Sequence, residues 1–364
     1  MYSHYMEIKF IFQVIFFTFN SVLIIKEKYD ILILMENTTK ILALILTGTV
    51  FFSGCRKNSN QNAKITVTAA TFPCYDAVRA ISGDYLNDGT ISLKLLCKPG
   101  IEVHSFDPAP QDIISINTSD LFVYIGGESD EWVEKIIRAE KNTSSTFLKL
   151  FDYAELSEEP ESLEKTSEHE EHSHEHSENP HEKDEHIWTS PKNEIQIIKT
   201  VCKTLQNIAE QKNLPELSEK LNENAENYIQ QIENVIQVTQ KILSDTPEKF
   251  IVVADRFPFV YFTEFYGINY AAAFSGCSTA VEASTNTIVK IIDIVNKKHL
   301  PAVFYIELGN HKIAESIAES CGIKALELQS CQNVTKTDFE NGETWVSLML
   351  RNAENLKNGL RQWL

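Results

Sequence analysis

Short apolar runs rich in β-branched residues alternate with amphipathic stretches along most of this chain. The pattern predicts eight strands: Ile65–Ala70, Ile91–Cys97, Leu121–Gly126, Ser145–Leu150, Phe250–Asp255, Asn269–Phe274, Ala302–Glu307 and Lys324–Leu328. Helical periodicity fills the intervals between them and the segment after the last, with helices predicted at about Tyr75–Ser82 and near Asp338–Leu360 among others. Continuous apolar strands separated by helices predict parallel βαβ units, in which both faces of each sheet are covered.

Two longer helical stretches, Pro191–Gln211 and Pro215–Leu243, separate the first four strands from the last four. In the second stretch apolar residues recur at spacings of three, four and seven, which is typical of a helix with one buried face. At 1.5 Å per residue it extends about 43 Å, the dimension of a whole domain. The pattern predicts an α/β fold of two four-stranded parallel-sheet lobes, residues 64–190 and 247–364. Connecting helices over 191–246, including one long rigid α-helix, join these lobes.

Polar residues that follow the predicted strands mark a cleft between the lobes, because ligands bind at the carboxyl ends of parallel strands. His104 follows the second strand, and His186 lies just before the connecting helices. Asp255 and Glu307 close strands of the second lobe, although Asp255 also suits a helix N-cap. Two imidazoles with carboxylate oxygens suit Zn²⁺ and are tolerable for Mn²⁺. The pattern therefore predicts a metal site in the interlobe cleft, with surface histidines as the alternative.

The balance of charge is acidic and unevenly distributed. The chain has 33 Lys and Arg against 51 Asp and Glu, a net charge of −18. This balance argues against a nucleic-acid binder, which needs basic residues to neutralise phosphates. The segment from Glu155 to Glu185 alone holds 13 acidic residues against two lysines. Hydrophobic residues make up 43% of the chain, which excludes a wholly disordered protein.

A 13-residue part of this acidic segment contains five histidines: His169, His172, His174, His176 and His181. The run has no apolar residue to bury, so we expect an exposed loop. Short His-rich tracts bind transition metals weakly at several sites. A solvated acidic linker explains the glutamates but not the density of histidine, so we favour an auxiliary loop that captures metal. Because capture needs neutral imidazole, it should fade as the pH falls through about 6.5.

The N-terminus contains two apolar stretches, Ile8–Ile25 and Ile41–Phe52. The second is too short for a bilayer span of about 20 residues but has the length of a signal-peptide core. It ends in Phe-Ser-Gly-Cys55, which resembles a bacterial lipobox. We expect a lipoprotein signal peptide at 35–54, a tether at 55–63 anchored through acylated Cys55, and a mis-assigned upstream extension at 1–34. The alternatives are a core helix ending in a free cysteine and, for residues 1–34, a membrane anchor.

An exported chain tolerates disulfide bonds. The predicted strands place Cys74 and Cys97 at the same ends of neighbouring strands, and Cys277 and Cys331 likewise, so both pairs are candidate disulfides. The remaining two cysteines lie on predicted helices among apolar neighbours, where free buried thiols are expected: Cys202 and Cys321.

Pro99-Gly with His104-Ser-Phe-Asp-Pro, the His/Glu-rich loop and His186-Ile-Trp-Thr-Ser-Pro together resemble the metal-specific solute-binding proteins of bacterial ABC importers. More narrowly, they are similar to the zinc-binding, ZnuA-like branch over residues 64–362. The resemblance implies that His104 and His186 are ligands. The family's third histidine opens the second lobe in a His-Asp-Ala-Phe motif, where this chain has Ala254-Asp255-Arg256-Phe257. The usual acidic ligand near the last strand is also missing, so Asp255 or Glu307 would complete the shell.

The resemblance implies a monomeric, extracytoplasmic, lipid-anchored receptor that binds Zn²⁺ and delivers it to a membrane permease driven by a separate ATPase. A manganese-selective relative and a surface adhesin are the alternatives within this fold. Some family members carry a disulfide in the second lobe, which fits Cys277 and Cys331. An enzyme is not expected, because the chain lacks His-Glu-x-x-His or a comparable general-base arrangement beside its candidate ligands.

Overall fold

A four-stranded parallel sheet forms the centre of the first lobe in the computed structural model, which describes residues 63–139, 144–160, 162–163, 183–276 and 283–360. Its strands are β1 Ile65–Ala69, β2 Ile91–Leu95, β3 Leu121–Tyr124 and β4 Thr146–Lys149. They lie in the order β2-β1-β3-β4. Three helices accompany them: α1 Phe72–Ser82, α2 Pro110–Thr118 and α3 Glu131–Ala139. The strand β3 is buried along its whole length, as its uninterrupted apolar sequence requires.

The second lobe repeats this topology. Its strands are β5 Phe250–Val253, β6 Asn269–Ala272, β7 Ala302–Ile306 and β8 Lys324–Leu328. They pair in parallel in the order β6-β5-β7-β8. The helices of this lobe are α6 Val260–Tyr266, α7 Thr285–Lys298, α8 His311–Cys321, α9 Lys336–Glu340 and α10 Trp345–Leu360. In each sheet the order of the strands reverses once, between β1 and β3 in the first lobe and between β5 and β7 in the second. Ligands of open α/β sheets bind at such a point.

Two helices connect the lobes, α4 Pro191–Gln211 and α5 Pro215–Ser244. Each begins with proline in its first turn, where no backbone donor is lost. With 30 residues α5 extends about 45 Å, and its apolar side packs against α1, α4 and α10. The predicted fold of two parallel-sheet lobes joined by a long helix is confirmed.

One predicted helix, Asp338–Leu360, is instead two helices. The break lies at Gly342, whose φ of 74° is a left-handed conformation that glycine adopts without steric cost. The short helix α9 ends before it and α10 begins at Trp345. Helical periodicity continues through this sequence, but the glycine ends the first helix.

A buried polar network lies where α1, α4, α5 and α10 meet. The carboxylate of Asp76 accepts hydrogen bonds from Tyr228 Oη at 2.6 Å and from the backbone nitrogen of Trp345 at 2.7 Å. Glu194 lies near Asp76, and both of its carboxylate oxygens are buried without a hydrogen-bond partner among the described residues. Burial, with the charge of Asp76, raises the pKa of Glu194 well above its ordinary value. We therefore treat Glu194 as a neutral acid in the folded protein.

The predicted disulfide between Cys74 and Cys97 is wrong, because both are buried free thiols. Cys74 lies within α1 rather than at a strand end, and its sulfur is 3.6 Å from Thr71 Oγ1. The sulfur of Cys97 accepts from Asn333 Nδ2 of the second lobe at 3.6 Å. The sequence pattern started the first helix three residues late, and this error placed Cys74 beside the wrong neighbours.

The other cysteines divide between described and undescribed parts of the chain. Cys202 and Cys321 are free thiols on α4 and α8, as predicted, although Cys321 is only half-buried. Cys331 is a buried free thiol, while its predicted partner Cys277 lies outside the described residues. The predicted signal peptide, the lipidation site Cys55 and the five histidines of the capture loop also lie outside them. Among the helices that the structure does describe, none has the length and hydropathy needed to cross a bilayer.

Candidate metal centre

The loop after β2 holds His104 at the edge of the first lobe. A single helical turn, Val103–Ser105, carries the residue, and the Glu102 side chain accepts from the His104 backbone nitrogen. Gly100, at φ 80°, donates its N–H to Val334 O of the second lobe at 2.8 Å. The imidazole of His104 therefore lies on a loop that is fixed from both sides of the cleft.

His186 is fully buried at the start of the connecting helices. Asp184 Oδ1 accepts from its backbone nitrogen at 2.8 Å and lies 3.1 Å from its ring Nδ1. A carboxylate accepts only, so in the neutral ring Nδ1 carries the hydrogen and Nε2 is left with a lone pair. That Nε2 is buried and has no hydrogen-bond partner among the described residues. A buried imidazole nitrogen without a partner is costly unless a ligand takes it.

Glu185 completes a group of three candidate ligands. One ligand atom from each of His104, Glu185 and His186 lies within 4.8 Å of the others. The carboxylate of Glu185 accepts from Ser129 N at 2.8 Å and from Ser129 Oγ. The same Oγ lies 2.8 Å from His104 Nδ1. Ser129 therefore orients two of the three grouped side chains, the kind of outer support on which metal ligands depend.

The electrostatic environment sets the two imidazoles apart. Burial, together with the nearby charge of His186, lowers the pKa of His104, which keeps its ring neutral at neutral pH. Burial would lower the pKa of His186 as well, but the charge and hydrogen bond of Asp184 outweigh it and raise that pKa. A carboxylate behind a histidine is the arrangement that orients imidazole ligands and increases their basicity. A ring nitrogen must be unprotonated to bind a metal, and the Nε2 atoms of both rings meet this condition in the neutral state.

The structure does not bring the predicted ligands Asp255 and Glu307 into this group. Asp255 Oδ1 accepts from the backbone nitrogen of Arg256 at 2.8 Å, while Oδ2 lies close to Gly309 and is buried without a hydrogen-bond partner among the described residues. The Glu307 carboxylate accepts from Ser330 N at 2.8 Å and from Ser330 Oγ at 2.6 Å. Both carboxylates instead shape loops of the second lobe.

A cation of the second lobe, Arg256, acts on the grouped histidines, two residues after Ala254, where the resemblance implied a third histidine. Arg256 Nη2 lies 2.7 Å from Glu102 Oε2 of the first lobe. Arg256 is among the charges that lower the pKa values of His104 and His186. An ion pair between Arg256 and Glu102 therefore links the two lobes beside the site.

An acidic pocket of about 400 Å³ opens beside the group on the first lobe. Glu185 and Asp184 belong to its lining, so the pocket adjoins the candidate ligands. Lys149 and Lys183 also line it, together with five further acidic residues: Glu128, Asp130, Glu131, Glu134 and Glu159. The excess of carboxylates raises the local concentration of cations.

The sequence analysis did not identify Glu185 as a ligand, because Glu185 is the last residue of the acidic segment and resembles its other glutamates. Its direct attachment to His186, after an aspartate that supports the imidazole, is the signal that separates it from the other glutamates. Ser129 was missed as well, and nothing in its local sequence distinguishes it from other loop serines.

The family model described as "ZnuA: Zinc-uptake complex component A periplasmic" matches residues 67–359. The zinc-binding protein AdcA of Streptococcus pyogenes serotype M18 is 28% identical over 325 residues, covering 87% of this chain and 61% of AdcA. The chain thus spans less than two thirds of this relative. The high-affinity zinc uptake system protein ZnuA of Bacillus subtilis is 25% identical over 301 residues, covering 83% of this chain and 89% of that protein.

The crystal structure of the Zn(II)-bound ZnuA-like domain of Streptococcus pneumoniae AdcA superimposes with a TM-score of 0.65 at 22% identity. The match covers 82% of this chain and all of that domain. This likeness supports the two-lobed fold independently of the local motifs.

Proposed function

Because the chain belongs to the ZnuA family of zinc-uptake complex components, we propose that it is the extracytoplasmic zinc-binding component of an ABC importer. The observation that carries this proposal is the buried, unpartnered Nε2 of His186, which lies in one group with His104 and Glu185. A site that leaves an imidazole lone pair buried is prepared for an electrophile. The ion is cargo, bound in the cleft and later released.

We assign His104, Glu185 and His186 as protein ligands of Zn²⁺. Two nitrogen ligands and one carboxylate oxygen are an ordinary donor set for zinc, which is four-coordinate in most protein sites. The fourth position then belongs to the second lobe or to water. Since one ligand is a hard oxygen, Mn²⁺ is the competing ion to be tested.

The remaining features of the proposal concern delivery. The acidic pocket beside Glu185 supports capture of cations from solution, and the five histidines of the capture loop would add weak metal sites. Lipidation at Cys55 would hold the protein at the outer face of the membrane, where a permease driven by a separate ATPase accepts the ion. An adhesin role in this fold is the alternative, and it predicts binding to a host surface by the metal-free protein.

A competition titration against a chromophoric zinc chelator tests the assignment. The parent protein should bind one zinc tightly, and His104→Ala with His186→Ala should abolish that site. His299→Asn is the matched control, because it removes an exposed histidine outside the group and keeps a residue suited to the left-handed backbone there. Deleting residues 168–182 should leave the tight site in place. Several weak sites that vanish with the loop deletion would contradict a cleft receptor.

Manganese competition is run in the same titration. Zinc should displace Mn²⁺ from the tight site at equal concentration, because zinc stands above manganese in the general affinity order for such ligands. Retention of Mn²⁺ under these conditions would assign manganese as the cargo.

A further inference from the structure

One segment of the second lobe contacts both histidine-bearing segments of the first. We call residues 329–334, which follow β8, the strap. Ser330 O accepts a hydrogen bond at 2.8 Å from the indole Nε1 of Trp188, which lies two residues after His186. The Asn333 side chain donates to Ile101 O at 2.8 Å and to Lys98 O at 2.9 Å, in the loop that carries His104. The strap is therefore positioned by the same two segments that supply the candidate ligands.

The strap has a fixed and unusual backbone. Cys331 has a φ of 58°, in the left-handed region that non-glycine residues adopt uncommonly. Its side chain is completely buried. Glu307 holds the preceding Ser330 through two hydrogen bonds, and Ser330 Oγ accepts from Gln332 N at 3.1 Å. Such conformations persist where the surroundings determine them, and they concentrate at functional sites. Here the left-handed residue immediately precedes Gln332.

The side chain of Gln332 reaches across the cleft to His104. Its Nε2 lies 3.2 Å from His104 Nε2. An amide nitrogen only donates, so His104 Nε2 accepts through its lone pair and the ring hydrogen is on Nδ1. Nδ1 then donates to Ser129 Oγ, whose hydroxyl donates to Glu185. These three hydrogen bonds form one network with consistent donors and acceptors. The network extends from Gln332 of the second lobe to Glu185, the candidate carboxylate ligand.

A metal ion and the Gln332 amide group need the same lone pair. A neutral imidazole with hydrogen on Nδ1 has one free pair, on Nε2, and that pair forms either a hydrogen bond or a metal bond. Turning the amide by half a rotation exchanges its nitrogen for its carbonyl oxygen, an acceptor that binds cations. Of the other second-lobe groups near the cleft, Arg256 bonds Glu102 and Glu307 bonds Ser330. Asp255 bonds its own loop through Oδ1, while its Oδ2 is buried without a hydrogen-bond partner among the described residues. Neither carboxylate belongs to the ligand group.

We propose that Gln332 is the second-lobe residue that responds to the metal: its amide group bonds His104 in the metal-free protein, and on metal binding it releases His104 and turns its carbonyl oxygen towards the ion. This inference rests on the proposed function, because it requires that His104 binds the cargo. It makes the strap the route by which occupancy of the first-lobe ligands reaches the second lobe. Gln332 is a positioning residue in the metal-free state and a ligand in the loaded state.

The test follows the side-chain amide of Gln332 by NMR in protein labelled with ¹⁵N-glutamine. The Gln332 pair is assigned by its loss in Gln332→Leu. On titration with zinc, this pair should shift in step with one equivalent of metal. The side-chain pair of Gln231, exposed on α5, serves as the internal control and should not move. A Gln332 pair that stays in place at saturating zinc would overturn the proposal.

Zinc affinity supplies a second readout. Gln332→Glu removes the competing donor and offers a charged oxygen, so zinc should bind about tenfold more tightly than to the parent. Gln231→Leu should leave the affinity unchanged. A Gln332→Glu variant within twofold of the parent would count against the residue as a ligand. Failure of the proposed function looks different, because the parent itself would then bind no zinc at the group.

Discussion

Replacing Gly127 by alanine should displace Glu185 from the metal centre although no ligand residue is substituted. Gly127 precedes the turn that carries Ser129, and its φ of −87° and ψ of −160° are open to any residue. The backbone therefore imposes no strain on the variant. An ideal Cβ at this position would lie 2.5 Å from Glu185 Oε2 and closer still to Glu185 Cβ, whereas ordinary contact begins at 3.4 Å.

The size of the effect follows from this overlap. The carboxylate must retreat by about 0.9 Å or more, several times the tolerance of about 0.2 Å expected for metal–ligand distances. Loss of a support or a ligand of a metal site costs about 10–100-fold in affinity. Zinc should therefore bind Gly127→Ala 10–100-fold more weakly, a loss of about 1.4–2.8 kcal/mol.

The assay is the chelator competition on parent and variant, with thermal unfolding of the metal-free proteins beside it. Gly89→Ala is the matched control: its Cβ meets open space, but the φ of 79° makes alanine strained. Gly89→Ala should lose stability and keep its zinc affinity, the reverse of the pattern expected at Gly127. A Gly127→Ala protein that binds zinc within threefold of the parent would refute the assignment of Glu185 as a ligand.

Three further predictions concern the groups around the centre. Asp184→Asn should weaken zinc binding by about tenfold or more in the same titration, because the amide supports the His186 imidazole less well than a carboxylate. Arg256→Met should tighten zinc binding several-fold, with the difference shrinking at high salt, because it removes a cation from the site. The free energy of unfolding of Arg256→Met, measured with denaturant, should differ from that of the parent by less than about 1 kcal/mol, since Glu102 in the broken ion pair is 36% exposed. Glu194 has a raised pKa, so the folded chain retains a proton that the unfolded chain loses above pH 4.5. The contribution of Glu194 to the free energy of unfolding should therefore decrease as the pH rises above that value, and urea titrations of Glu194→Gln should lack this contribution to the pH dependence seen in the parent.

The fold was predictable because its pattern is repeated and local. The central strands β3 and β5 are continuous apolar runs, as a parallel sheet covered on both faces demands, and all eight strands were placed within two residues at either end. The proline starts of α4 and α5 also fix these helices from sequence alone. Errors arose where a local feature overrides periodicity, as Gly342 does between α9 and α10.

The centre was only partly predictable, because it depends on contacts between distant segments. His104 and His186 lie in distinctive motifs, and the structure brings them together with ring centroids 6.0 Å apart. Asp255 and Glu307 have the right chemistry at the right strand ends, yet neither joins the ligand group. Ser330 takes both oxygens of Glu307, and the backbone nitrogen of Arg256 takes one oxygen of Asp255. Strand-end position predicts which edge of a sheet a side chain reaches, but it does not predict which partner satisfies it. Glu185 owes its role to Ser129, which is 56 residues away in sequence.

The placement of all three grouped ligand atoms before α4 has a consequence for the energetics of metal binding under the proposed function. Three of the proposed bonds to the ion come from one lobe and can form while the lobes keep their positions, whereas a bond from Gln332 requires the second lobe. Filling the first three positions and recruiting Gln332 are then separable steps. Calorimetry should register a small heat-capacity change on zinc binding, since neither step buries much apolar surface. Release of the ion should then begin with loss of the single bond from the second lobe.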